Sequence, residues 1–191
     1  MELLNDIVVL LFFLATLIQL FYWLAIFSKL ARYKSPTPSN NSKQQPVSVI
    51  ICAKNEAINL KKNLPHILNQ NYPNFEVIVV NDNSTDETGT ILLEFQKKFS
   101  ILHIVSRKSN DNDKVGKKFA LSEGIKNANN EVLLLTDADC KPISPNWIQS
   151  MQDSIDNKKS VGLGYSPYYM EKGWLNIFIR YETIYTAIQY L

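Results

Sequence analysis

Residues 47–136 alternate short apolar runs with longer stretches of helical period. The runs at 47–53, 75–81, 102–106 and 132–136 are rich in Val, Ile and Leu and largely apolar on both faces. Such runs suit parallel strands covered on both sides. Three stretches between them predict helices, at 56–70, 86–99 and 117–128. Ser84 and Glu87 stand at capping-box spacing before the second helix, and Pro65 is expected to kink or split the first. Strand and helix in strict alternation predict right-handed crossovers and an open α/β sheet, mostly parallel, with helices on both faces. Ligands in such sheets sit at the carboxyl ends of the strands.

The pattern changes ahead of this region. Residues 7–27 form a run of 21 residues without a charge. At about 1.5 Å per residue, that run is long enough for a hydrocarbon core of roughly 30 Å. A cleaved signal sequence fits less well than a transmembrane anchor, because Glu2 and Asp6 are acidic and the run exceeds the usual apolar core of a signal. Lys29, Arg32 and Lys34 follow the span, which predicts a single-pass chain with its globular part in the cytoplasm. The sequons at 40–42 and 83–85 are then chance matches. Residues 35–46 are Ser, Thr, Pro, Asn, Gln and Lys with nothing to bury, and predict a linker. The expected organisation is an anchor over 1–34, a linker over 35–46, an α/β domain over 47–170 and an amphipathic helix over 171–191. In that last segment Trp174, Ile177, Phe178, Tyr181, Ile184, Ile188 and Leu191 recur at helical spacing. Such a face suits packing against further structure, or a membrane interface.

Composition narrows the class. A chain of 191 residues, 46% hydrophobic, can hold one domain with a sizeable core plus an appendage. A formal charge of +2, with lysines spread along the chain, gives no footprint for nucleic acid. The two cysteines, Cys52 and Cys140, have no CxxC or Cys/His partner at zinc spacing and read as reduced thiols.

Polar residues gather where the strands end. The first strand runs into Ala53-Lys54-Asn55-Glu56, the second into residues 81–86, and the fourth into Asp137-Ala138-Asp139. Two acids at i and i+2 on a strand end point the same way and can share a divalent cation, which in turn can hold a diphosphate. Asp82 follows a mostly apolar strand and has no basic neighbour in sequence. A carboxylate there can accept hydrogen bonds from the N–H edge of a base or from ribose hydroxyls. Asp86 suits the charged start of a helix, and Glu56 suits either that role or a ligand role.

Four ordered motifs then carry a resemblance: Val47-Ser-Val-Ile-Ile-Cys-Ala-Lys-Asn-Glu56, Val77-Ile-Val-Val-Asn-Asp-Asn-Ser-Thr-Asp-Glu-Thr88, Gly116-Lys-Lys-Phe-Ala120 and Asp137-Ala-Asp139. From Val47 to about Met170 the chain resembles the family 2 glycosyltransferases of the GT-A fold, a Rossmann-like architecture. The resemblance implies a cytosolic site for a UDP- or GDP-sugar. By it, Ala53 and Glu56 flank the nucleotide, Asp82 meets the base, and Lys117 lies in a loop approaching the base or diphosphate. Asp139 is then the main ligand of Mg²⁺ or Mn²⁺, while Asp137 borders ribose and phosphate directly or through the metal's waters. The implied reaction is an inverting sugar transfer to a glycan or lipid-linked acceptor, in envelope polysaccharide or glycolipid synthesis.

An inverting displacement needs a base for the acceptor proton. Neither the family's later aspartate motif nor its Gln-x-x-Arg-Trp motif occurs, and Glu171 and Glu182 lack the context of a base. The expectation is a donor-binding part without a complete catalytic set. Alternatives are a non-catalytic nucleotide-sugar-binding remnant and a nucleotidyltransferase, which also clamps a diphosphate with metal-bound acids. A haloacid-dehalogenase-type phosphatase would carry its aspartate pair on the first strand, not the fourth. The stretch 111–118 ends in Gly-Lys-Lys but lacks the leading Gly and the hydroxyl of a P-loop.

Overall fold

The computed structural model describes residues 2–32, 44–107, 116–155 and 160–189. Lys34, the predicted linker over 35–43, the sequon at 40–42 and positions 111–115 lie outside the described residues. The elements follow in the order α1 (Glu2–Arg32), β1 (Val47–Ala53), α2 (Ala57–Leu68), β2 (Phe75–Asp82), α3 (Thr88–Gln96), β3 (Leu102–Arg107), α4 (Lys117–Lys126), β4 (Val132–Asp137), α5 (Trp147–Gln152) and α6 (Trp174–Gln189). They group into two compact units, Pro36–Gly164 and a second made of Met1–Ser35 with Tyr165–Leu191.

The larger unit is the expected parallel α/β sheet, with strand order β3-β2-β1-β4. Alternation along the strands sorts its core into two layers. Val47, Val49, Ile51 and Ala53 of β1 join Val77 and Val79 of β2, Leu134 of β4, Leu60, Leu64 and Ile67 of α2, Leu92 of α3 and Ile148 of α5. Ile78 and Val80 turn the other way and meet Ala120 of α4. Burial of each such Val, Leu or Ile side chain stabilises the fold by about 1.5–3 kcal/mol. The chain moves outward from β1 to β3 with α2 and α3 on one face, then returns to β4 with α4 on the other, as crossovers of one handedness require.

Several expectations are corrected. Pro65 does not split α2, because Leu64, Ile67 and Leu68 are buried on either side of it and hold the last turn to the sheet. Both the backbone N–H and the side-chain amide of Asn69 donate to the Pro65 carbonyl, closing that end. The capping box is absent: α3 starts at Thr88, and Glu87 makes no side-chain cap bond. Covering on both faces holds for β1 and β2 but fails at β4, an edge strand whose Leu135 is 51% exposed. The short helix α5 was not expected from the pattern.

Gly124 sets how closely α4 lies on the sheet. A Cβ there would stand 2.5 Å from Cγ2 of Ile50 and 3.1 Å from Cγ2 of Val80. At the amino ends of the strands, buried Glu76 is a polar hub. Its carboxylate accepts from Ser48 Oγ at 2.6 Å, from the Asn129 backbone N–H at 2.8 Å and from the Asn129 amide at 2.7 Å. Burial pushes the Glu76 carboxyl upward, yet these bonds, with His103 nearby, hold it below the usual range.

In the second unit, α1 includes a stretch, Glu2–Ala25, that is long and apolar enough to cross a membrane, with a mean hydropathy of 2.4. Helix α6 touches α1. It buries Ile188 and exposes Trp174, Leu175, Ile177, Phe178 and Tyr181.

Two outcomes follow for stability. Gly124→Ala forces α4 off β1 and β2 and should cost about 1–3 kcal/mol in urea unfolding of the detergent-solubilised chain. A depressed folded-state pKa means that Glu76 stabilises the fold above its unfolded value of about 4.3, and that this contribution is lost as pH falls through the lower folded value. Glu76→Gln should therefore cost about 1–3 kcal/mol at neutral pH and flatten the acid limb of the stability profile. An acid limb as steep as that of the native chain would show that Glu76 is not its source.

Candidate functional site

Because the strands are parallel, their carboxyl ends share one edge. Ala53, Asp82, Arg107 and Asp137 are the last residues of β1, β2, β3 and β4. Register pairs Ala53 with Asn81, Asp82 with Arg107, and Cys52 with Asp137. From β1 the chain goes to β2 on one side, while β4 arrives on the other. Such a reversal of strand order is where open α/β sheets bind ligands.

Asp82 does have a basic partner. Nη1 of Arg107 donates to its Oδ1 at 2.6 Å, and the two side chains are only 17% and 15% exposed. Sequence reasoning missed Arg107 because 25 residues separate the pair and only the β2–β3 register joins them. The available signal was a cation one residue past an apolar run.

Lys117 opens α4 directly after Gly116, whose φ of 114° a side chain rarely adopts. Its ammonium donates to Oδ1 of Asp137 at 2.5 Å. That bond raises the Lys117 pKa, over the opposing effect of burial, and Asp139 adds to the rise. Burial pushes the Cys52 thiol up, and the same thiol senses Lys117, Asp137, Asp82 and Arg107 together. These charges, contributed by β2, β3, α4 and β4, thus occupy one electrostatic neighbourhood.

The Asp137-Ala138-Asp139 turn is held from behind. Ala138 is buried in the α2-side core, and its carbonyl accepts from Nδ2 of Asn63 at 3.1 Å. The Cys140 N–H donates to the Asp137 carbonyl. Both acids on either side of Ala138 are exposed. Two exposed carboxylates offer hard oxygen donors suited to Mg²⁺ or Mn²⁺. No group of three or more His, Cys, Asp or Glu that could hold a metal occurs among the described residues. A cation here would complete its shell with water and phosphate oxygens, the usual Mg²⁺ arrangement at nucleotide sites, so the residues present fit such an ion.

The loops after β1 and β2 are stitched together. Asn55 and Asn83 adopt φ of 57° and 54°. The Asn55 N–H donates to Ser84 Oγ, and Asn55 Oδ1 accepts from the Thr85 N–H at 2.8 Å. Ser84 is thus spent on the neighbouring loop instead of on a helix cap. The Glu56 N–H donates to Thr88 Oγ1, and the Asp86 carboxylate accepts from the N–H groups of Ala57 and Thr88, the first residues of α2 and α3. Thr88 chiefly holds the Asp86 carboxyl below its usual range. Glu56 precedes α2, makes no cap bond, and accepts instead from the Asn59 amide. Ala53 is buried at the base of this loop.

The left-handed position carries a measurable consequence. Asn55→Ala should lower stability by about 1–3 kcal/mol, from backbone strain plus a lost hydrogen bond. Asn55→Gly should cost less, because glycine takes that φ freely. Equal losses in denaturant unfolding would remove strain from the account.

Comparison with known proteins identifies the family and the fold. Residues 48–189 match the family described as Glycosyl transferase family 2. The probable glycosyltransferase YdaM of Bacillus subtilis (strain 168) is 40% identical over 110 residues, which are 56% of this chain and 26% of that protein. The poly-beta-1,6-N-acetyl-D-glucosamine synthase of Staphylococcus epidermidis is 33% identical over 105 residues, 53% of this chain and 23% of that one. The chain thus spans about a quarter of the length of these relatives. Among solved structures, the mannosyltransferase PcManGT of Pyrobaculum calidifontis, in complex with GDP-Man and Mn²⁺, superposes with a TM-score of 0.59 at 25% identity, covering 70% of this chain and 39% of its own. With the family match running from β1 through α6, the chain belongs to glycosyl transferase family 2.

Proposed function

We propose that this chain forms the donor site of a membrane-anchored, metal-dependent glycosyltransferase. The enzyme transfers a sugar, with inversion, from a UDP- or GDP-sugar to a glycan or lipid-linked acceptor. The observation that carries the reading is the convergence of Asp82, Lys117, Asp137 and Asp139 at one sheet edge, where the strand order reverses. Family membership supports transfer chemistry, and the solved relative with GDP-Man and Mn²⁺ supports a nucleotide donor with a divalent ion. The relative named for poly-beta-1,6-N-acetyl-D-glucosamine synthesis supports a glycan acceptor.

Each residue has a role in this reading. Ala53, buried at the end of β1, and Glu56 border the nucleotide. Asp82 accepts from the base. Asp139 is the principal ligand of Mg²⁺ or Mn²⁺, with Asp137 beside it toward ribose and phosphate. Departure of a nucleoside diphosphate builds negative charge, which the bound cation offsets electrostatically. Lys117 offsets the same charge by leaving Asp137 for a phosphate oxygen. Its raised pKa keeps it cationic at neutral pH. The apolar stretch Glu2–Ala25 anchors the chain, and the cations that follow it keep the sheet on the cytoplasmic side, where activated sugars are made.

Calorimetry on the full chain in detergent, titrated with UDP and with GDP in the presence and absence of Mn²⁺, tests this. Affinity for at least one nucleotide should rise with Mn²⁺, and Asp139→Ala should remove at least tenfold of that rise. An unchanged titration would eliminate Asp139 as a ligand. Nucleotide binding with neither sugar transfer nor donor hydrolysis would favour the non-catalytic alternative.

A further inference from the structure

We infer that the outer face of α6 lies in the headgroup region of the bilayer that α1 crosses, an inference that rests on the proposed role of α1 as the anchor. For a helix facing water, α6 is inside out. Trp174, Ile177, Phe178 and Tyr181 fall at i, i+3, i+4 and i+7, one stripe of a helix, and each is exposed. The polar side chains Asn176, Arg180 and Thr183 stand off that stripe and are partly covered. A helix packed on a core in water does the reverse. Apolar exposure extends into the chain just before the helix, at Tyr168, Tyr169 and Met170. Asn176 clips that stretch to the first turn: its amide donates to the Tyr169 carbonyl and its Oδ1 accepts from the Glu171 N–H, both at 3.0 Å.

Position, composition and charge select lipid as the occupant of this face. Helix α6 touches α1, and among the described side chains of α1 only Phe27 and Ser28 are partly covered. Those two follow the apolar stretch Glu2–Ala25 and precede Lys29 and Arg32, the place where a spanning helix leaves hydrocarbon for headgroups. The exposed face of α6 therefore adjoins a lipid-facing surface. Trp and Tyr combine an apolar ring with a polar tip and are enriched at membrane–water interfaces, whereas scattered aliphatic residues would carry no such preference. Charges over residues 165–189 cancel, Glu171 and Glu182 against Lys172 and Arg180. Burial of apolar area, rather than attraction to anionic headgroups, then holds the helix. A single span leaves a chain free to swing about it, and a second contact along the surface limits that motion. Helix α6 is thus held at the depth where a lipid-linked acceptor carries its headgroup.

Fluorescence quenching of the full chain, reconstituted into phosphatidylcholine vesicles with and without bromine on the acyl chains near the headgroup, tests this. The emission of Trp174 is the difference between the native chain and Trp174→Phe, a change that leaves the fold intact because Trp174 is 88% exposed. Brominated lipid should lower that emission at least twofold, equally at low and high salt, and iodide in the water should quench it little. Emission open to iodide and indifferent to bromine would put α6 in water and overturn the inference. Protection from both quenchers would mean that protein covers the face, a second copy or another part of the polypeptide, and overturns it as well. Quenching by bromine that disappears at high salt would overturn the apolar account of binding. Vesicle flotation separates the two readings: a chain that floats with vesicles while Trp174 ignores bromine keeps its anchor and loses only the α6 contact. A chain that does not float loses both.

Discussion

The parallel register of β1 with both of its neighbours is the constraint on which the site depends. β1 is paired along its whole length with β2 and along most of it with β4, and its Val47, Val49, Ile50 and Ile51 are almost completely buried. A slip of one residue would turn Ile50 and Cys52 to the opposite face and carry Asp137 away from Cys52. Each buried aliphatic side chain stabilises the correct register by about 1.5–3 kcal/mol. An exposed ion pair such as Lys117–Asp137 supplies about 0–1 kcal/mol. Apolar burial therefore sets where the strand ends lie, and the charges at those ends accept the positions they are given.

Local chemistry then determines what happens beyond the last paired residue. Two asparagines take left-handed backbone angles within the first loops, and only some of the polar groups there are left to meet a ligand. Ser84, Thr85, Asp86 and Thr88 are consumed in joining the loop after β2 to the loop after β1 and to the starts of α2 and α3. A loop built this way holds its shape before any ligand arrives, so less ordering entropy is lost on binding. Asp82 sits just ahead of this knot, on the strand itself, and its direction is set by sheet geometry.

The same division explains what could be read from the chain. The four strands were legible because short runs rich in Val, Ile and Leu, bounded by polar turn residues, suit strands of a parallel sheet. The first two helices were overestimated at both ends and the third only at its carboxyl end, since residues such as Glu56, Asp86 and Gln70 are drawn into bonds with neighbouring loops or carbonyls. Pro65 was expected to break α2 because proline costs about 3 kcal/mol in a helix interior. Leu64, Ile67 and Leu68, buried around it, together exceed that cost. The pairing of Arg107 with Asp82 was not legible because a cross-strand partner depends on register, which a linear reading does not contain. The exposure of Leu135 was equally hidden, since a strand's place at the edge of a sheet leaves no mark in its own residues.

The two ion pairs at the edge differ in a way that suits a donor site. In Arg107–Asp82 both side chains are mostly buried, and removing one partner of such a pair leaves an uncompensated charge, an effect of about 3–5 kcal/mol in fully buried cases. In Lys117–Asp137 the side chains are 67% and 51% exposed, so separating them costs about 1 kcal/mol or less. Within the proposed function, the first pair persists and keeps a fixed pattern of acceptor and charge for the base. The second opens readily, freeing an ammonium for phosphate and a carboxylate for a cation in one step. Recognition is thus assigned to the rigid side of the edge and charge compensation to the exchangeable side. The distinction follows from position in the sheet: Asp82 lies on β2, flanked by β1 and β3, whereas Asp137 ends the exposed edge strand β4.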